Sequence, residues 1–200
     1  MRIALVFLTT LTLLLTSCFF GSTLNFDEED AQGLPNLVPN GDLEEGLYGV
    51  YKRENLPEHW MILQNPRDPE ATAWEADRGL GDSRCLRLMA GSTRLTLISD
   101  SFEIYPTAAY YNHIWVKTDI DTGEEIECRF IAFDENSETV NQFTVNIVPK
   151  TTWKKVEFNA AFFKKTARFG RLMVVLPPQS GRRVWVDGIG SYNVVSDREE

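Results

Sequence analysis

The run from Tyr110 to Lys117 alternates so that Tyr111, His113, Trp115 and Lys117 share one face of an extended strand, with Tyr110, Asn112, Ile114 and Val116 on the other. Aromatic rings stack on the apolar faces of sugars while polar neighbours bond hydroxyls, so the first face has ligand-binding chemistry. One of the two faces has to fill a core, and the alternative for Trp115 is burial beneath a loop. Arg129 and Phe133, in the run Glu125–Phe133, could contribute in the same way. Trp74 lies in a loop-flanked run and is a second ring candidate.

A different chemistry is written at the N-terminus. Arg2 supplies a short positive region, Ile3 to Leu15 is apolar apart from three threonines, and Leu15-Thr16-Ser17-Cys18 has the layout of a lipobox. The pattern predicts a lipoprotein signal over 1–17, removed on export, and acylation of Cys18. The mature chain is then a bacterial lipoprotein held by its lipid anchor, at the outer membrane or cell surface rather than the inner membrane. The uncharged stretch Ile3–Gly21 is also just long enough to span a bilayer uncleaved, which is the alternative.

The net charge is −9, and loss of Arg2 with the signal takes it to −10. So acidic a chain argues against nucleic acid and against flat docking on anionic lipid, and leaves neutral ligands open. Catalytic signatures are sparse. Only two histidines occur, His59 and His113, with no nucleophile elbow, zinc-ligand spacing or phosphate-cradling loop. Sandwich glycosidases use two carboxylates across a cleft, but Glu124-Glu125-Ile126-Glu127 does not reproduce their E-x-D-x-x-E strand pattern. Cys85 and Cys128 remain after acylation. In an oxidising compartment they could pair, or stay buried thiols in the strand-like runs that hold them.

The elements that must position these groups read as β. Runs rich in Val, Ile, Thr, Phe, Tyr and Trp alternate with Gly, Pro, Asn and Asp clusters. Strands are predicted at Thr72–Ala76, Arg84–Met89, Arg94–Ile98, Tyr110–Lys117, Glu125–Phe133, Val140–Val148, Lys154–Phe158, Arg168–Leu176 and Arg182–Val186. Glu54–Met61 and Phe162–Ala167 could form a turn of helix at most. Residues 18–35, with the block Asp27-Glu28-Glu29-Asp30, read as a solvated acidic tether; 36–195 is one sandwich domain and 196–200 a polar tail.

Several stretches carry a family resemblance: Asn36-Leu37-Val38-Pro39-Asn40-Gly41-Asp42-Leu43-Glu44, then Leu56-Pro57-Glu58-His59-Trp60, Gly81-Asp82-Ser83-Arg84-Cys85-Leu86-Arg87-Leu88, Trp153-Lys154-Lys155-Val156, and Val184-Trp185-Val186-Asp187-Gly188-Ile189. In this order the chain resembles carbohydrate-binding modules of the family 4/9 type, which are galactose-binding-like jelly rolls. The resemblance implies an all-β jelly-roll sandwich, scaffold roles for Trp60, Trp153 and Trp185, and often a structural calcium. The matching metal positions are Glu44, Asp187, Asp42, Gly81 and Ser83. Without a metal, Asp42 and Asp187 would instead satisfy turn amides, and Gly188 replaces the family's usual second acid. The expected function is a non-catalytic, membrane-anchored module that binds a glycan or glycan-bearing surface. A subunit that binds envelope proteins through the same sandwich is the alternative, and a glycosidase or lyase the third reading.

Overall fold

The computed structural model describes residues 25–46, 56–64, 70–178 and 181–195. The signal segment, Cys18 and the tail 196–200 lie outside the described residues. Eleven strands are present among them: β1 (Trp60–Leu63), β2 (Thr72–Glu75), β3 (Cys85–Leu88), β4 (Leu95–Ser99), β5 (Phe102–Glu103), β6 (Ala109–Thr118), β7 (Ile126–Phe133), β8 (Thr139–Ile147), β9 (Lys154–Ala160), β10 (Phe169–Leu176) and β11 (Val184–Val195). They form two antiparallel sheets. The first has the order β1-β4-β10-β7-β8, with β5 also paired to β10; the second has β2-β3-β11-β6-β9. This is the expected jelly-roll sandwich.

Alternation drives the packing. In β8, Phe143, Val145 and Ile147 turn toward the core while Gln142, Thr144 and Asn146 face outward. In β6 the inward set is Tyr110, Asn112, Ile114, Val116 and Thr118, all buried. Asn112 Nδ2 donates there to the carbonyls of Tyr110 and Phe158, each at 3.2 Å.

Three elements differ from expectation. Trp60–Leu63 is a strand and not a turn of helix, because Met61 and Ile62 register against Ile98 and Leu97. The two-residue β5 is too short to leave a sequence signal. β11 continues past Val186 to Val195 through an irregularity between Asp187 and Gly190. Gly188, with φ +49°, supplies the local turn that resembles a strand end in the sequence.

The N-terminal motif closes on β11. Asn36 Nδ2 donates to the Ile189 carbonyl (2.9 Å), and Asn36 Oδ1 accepts from Val38 N–H and Ser191 N–H, 3.1 Å each. The acidic stretch before it, read as a solvated tether, is docked. It turns through 28–33 over the outer face of the second sheet, where Lys155 Nζ meets Glu28 Oε2 at 2.7 Å and Asn159 Nδ2 donates to the Phe26 carbonyl at 3.1 Å. Ala31 is buried under that turn. These partners lie more than a hundred residues away in sequence, so local composition did not show them.

Candidate functional site

The candidate ligand residues fall on two opposite faces of the sandwich. Tyr111, His113, Trp115 and Lys117 project from the outer face of the second sheet. Arg129 and Phe133, with the same outward alternation in β7, project from the outer face of the first sheet.

On the second sheet, β6 lies between β11 and β9, which brings Tyr192 opposite Tyr111 and Glu157 opposite His113. The Tyr111, His113 and Tyr192 rings form a floor, with centroids 5.8, 5.6 and 6.3 Å apart. Gly190 permits this, since a Cβ there would meet Tyr192 at 2.5 Å and His113 at 2.9 Å. The floor and the turn 28–34 enclose a cavity of about 490 Å³ walled by Glu28, Glu29 and Gln32. Burial lowers the His113 pKa, as does the Lys155 charge. Burial also raises the Tyr111 hydroxyl, reinforced by its hydrogen bond to Glu157. That hydrogen bond, followed by Lys155, draws the Glu157 carboxyl down. Burial opposes the Lys155 ammonium, but bonds to Glu28, Tyr111 and Glu157 outweigh it and hold it charged.

Trp115 and Lys117 do not line this cavity. Trp115 is half-buried beside Lys155, whose Nζ lies 5.9 Å from its ring. Lys117 is held between Trp153 (4.5 Å) and Trp185 (5.6 Å) and donates to the Arg78 carbonyl at 2.7 Å, so it works as scaffold. Trp74 is corrected from ligand candidate to core: it is 5% exposed and its Nε1 donates to the Leu43 carbonyl at 2.8 Å.

The outer face of the first sheet is open around Phe169, while Ile98, Ile131 and Met173 on the same face are buried. Phe133 stands beside Phe169, which is 41% exposed, and the Arg171 guanidinium lies 5.8 Å from the Phe133 ring. With Ser101 and Ser137 they line a cavity of about 170 Å³. Arg129 completes this face and is ion-paired to Glu127. Phe169 and Arg171 were not singled out in the sequence, because β10 reads there as apolar on both faces. The available signal was its alternation, Phe169-Arg171-Met173 against Gly170-Leu172-Val174.

The possible disulfide does not form. Cys85 and Cys128 are free, buried thiols, and burial pushes both pKa values up to about 12. Cys85 sits in the second sheet, while Cys128 faces the core from the first.

Of the proposed metal positions, Ser83 and Asp187 are in contact and Glu44 reaches the end of the same turn at Arg84. Asp187 is 2% exposed; Oδ2 accepts from Leu80 N–H (2.7 Å) and Ser83 Oγ–H (3.1 Å), and Oδ1 from Gly188 N–H (2.6 Å). Glu44 Oε1 accepts from Arg84 N–H at 2.7 Å. Gly81 holds φ +63° in the intervening turn, and Asp42 is exposed. Burial raises the Asp187 pKa above its usual range, N–H donors pull it back, and Glu44 adds to the rise. Stability tied to the protonated carboxyl is therefore fully present below the unfolded pKa, about 3.9, and lost as pH rises through the raised folded value. Asp187→Asn, which cannot titrate, should gain stability relative to the native chain as pH rises through that window. Denaturant midpoints across the range measure this, and a constant difference would rule out the raised pKa.

No protein-family profile and no curated protein matches the chain. Solved structures do. The enzymatically active domain of tailspike protein 4 from bacteriophage CBA120 is similar over 79% of this chain and 21% of its own length, at 12% identity and TM-score 0.59. A carbohydrate-binding module of family 4 matches 78% of this chain and 99% of its own, at 14% identity and TM-score 0.53. A family 61 module solved with β-1,4-galactotriose matches 80% and 99%, at 12% identity and TM-score 0.51. This chain thus spans about a fifth of the tailspike domain and nearly the whole of each module. The described residues have the jelly-roll fold of carbohydrate-binding modules.

Proposed function

We propose that this chain is a non-catalytic, lipid-anchored module that holds a glycan on the outer face of its first sheet. The observation that carries the reading is the open group of Phe133, Phe169 and Arg171, in which ring faces and guanidinium donors stand side by side. The corresponding face of the second sheet is overlaid by residues 26–34. Occupation of the fold by an oligosaccharide in the family 61 module supports the ligand class. The acid nearest Arg129, Glu127, is engaged in an ion pair, which suits positioning better than proton transfer.

Titration with soluble β-linked polysaccharides tests the reading. Phe169→Ala should weaken binding roughly tenfold, the equivalent of about 1.4 kcal/mol for one lost ring platform. Folding should survive because the side chain is exposed. Tyr192→Ala, in the cavity of the second sheet, should leave binding unchanged. The opposite pattern would move the site to the cavity over Tyr111, His113 and Tyr192, whose size of about 490 Å³ accommodates a sugar ring. A second reading, an envelope-protein subunit, is favoured by the exposed apolar side chains of Leu63 in β1 and Phe169 in β10. Polysaccharide binding that fails with every ligand, alongside retention of an envelope protein lost in Phe133→Ala, would support it.

Export and anchoring belong to the same proposal. Cys18→Ala should abolish labelling by a fatty-acid analogue and release the chain from membranes, and labelling that persists would reject the anchor. Calcium at Glu44 and Asp187 is likewise proposed as structural. The two carboxylates oppose each other while burial disfavours the charge on Asp187, and a hard cation with oxygen ligands relieves both. An ion bound only by the folded chain adds about 2.7 kcal/mol at a hundredfold excess over its dissociation constant. Chelation should then lower the melting temperature by several degrees and calcium restore it, whereas a curve indifferent to both would reject the site.

A further inference from the structure

We propose that Glu45, Glu58 and His59 form a binding site for a divalent transition-metal ion of the zinc class, separate from the calcium positions and from the glycan face. One ligand atom from each residue lies within 4.8 Å of the others. Donors around a tetrahedral ion at about 2.1 Å stand roughly 3.4 Å apart, so small rotations of these side chains complete the geometry.

The backbone that carries the three groups is tied together from beneath. Asn40 Nδ2 donates to the carbonyls of Glu45 (2.9 Å) and Glu58 (2.8 Å), and Asn40 Oδ1 accepts from Glu45 N–H (2.9 Å). Glu58 N–H donates to the Glu45 carbonyl at 2.9 Å. Two loops separated in sequence therefore present their carboxylates side by side, and among the described residues no lysine or arginine forms an ion pair with either.

A hydrogen bond from outside the cluster points to a metal. His59 Nδ1 lies 2.9 Å from Asp100 Oδ2, and the His59 carbonyl accepts from Asp100 N–H at 2.7 Å. An imidazole that donates Nδ1–H to a carboxylate is locked in orientation and keeps the Nε2 lone pair for a ligand, the arrangement that orients metal-bound histidines. One nitrogen and two carboxylate oxygens favour zinc over calcium, which requires oxygen alone. Exposure of Glu45 and His59 leaves a coordination position for water or an external ligand.

Calorimetric titration of the detergent-solubilised full chain with zinc chloride tests the site. One equivalent should bind, and zinc should raise the melting temperature. Glu45→Gln, an exposed change that spares the fold, and His59→Gln should each weaken zinc at least tenfold. Asp100→Asn, which acts through His59, should cost about 10–100-fold. Glu44→Gln should leave zinc affinity unchanged while reducing any calcium response, which separates the two sites. No zinc uptake, equal uptake by folded Glu45→Gln or His59→Gln, or calcium competing as well as zinc would each overturn the proposal. None of these outcomes bears on glycan binding.

Discussion

Phe130→Ala should lower the free energy of unfolding by about 3–5 kcal/mol. Phe130 is fully buried at the centre of β7, and its ring meets those of Phe102 (5.8 Å), Tyr110 (5.7 Å), Phe143 (6.2 Å) and Phe163 (5.6 Å). These partners come from both sheets and from the connection after β9, so the ring is where the halves of the sandwich meet. Truncation removes its buried area, opens a cavity that four rings cannot close, and forfeits edge and tilted aromatic contacts. Against a typical total of 5–15 kcal/mol, a loss of this size is a large share of the stability. Urea denaturation of the two proteins measures it, and a change under about 1 kcal/mol would show that the aromatic centre repacks.

Gly41→Ala tests the closure of the N-terminal motif on β11. The Gly41 carbonyl accepts from Ile189 N–H at 2.7 Å. A Cβ on residue 41 would stand 2.1 Å from the Ile189 carbonyl oxygen and 2.7 Å from Asn36 Nδ2. The first obstacle is backbone and cannot rotate away, so the motif must separate from β11 by an ångström or more. That movement breaks the bonds of Asn36 to Ile189 and Ser191 as well. A cost of about 1–3 kcal/mol for forced overpacking, with further loss from the broken bonds, is expected. The same variant should loosen residues 36–45, read as faster amide exchange there than in β7. Unchanged exchange would mean that the backbone absorbs the added methyl.

The glycine was visible in the sequence as part of the motif Asn36–Glu44, but its reason was not. The contact that forbids a side chain comes from Ile189, in the last strand. Trp74 shows the same limit in the other direction. Its sequence surroundings resemble those of an exposed ring, yet Leu43 supplies a carbonyl for its indole N–H and the ring lies in the core. Lys117 shared a face with possible ligand groups as the alternation required, but Trp153, just before β9, and Trp185, in β11, close on it.

What the amino-acid order determined by itself was the class of fold, most of the strands and the two faces of each. Those follow from a period of two, turn residues and β-branched content, all local properties. The spacing of five motifs added the jelly-roll resemblance that the solved modules bear out. Only the tertiary structure decided which face is open. It laid residues 26–34 over the second sheet through Lys155 and Asn159, and left Phe169 exposed beside half-buried Phe133 and Arg171 on the first. It also put Cys85 and Cys128 in opposite sheets and brought Glu45, Glu58 and His59 together over Asn40. The physical reason is common to these cases. Alternation specifies that a side chain leaves the sheet, but what meets it there depends on chain segments that only sheet pairing and loop closure bring near.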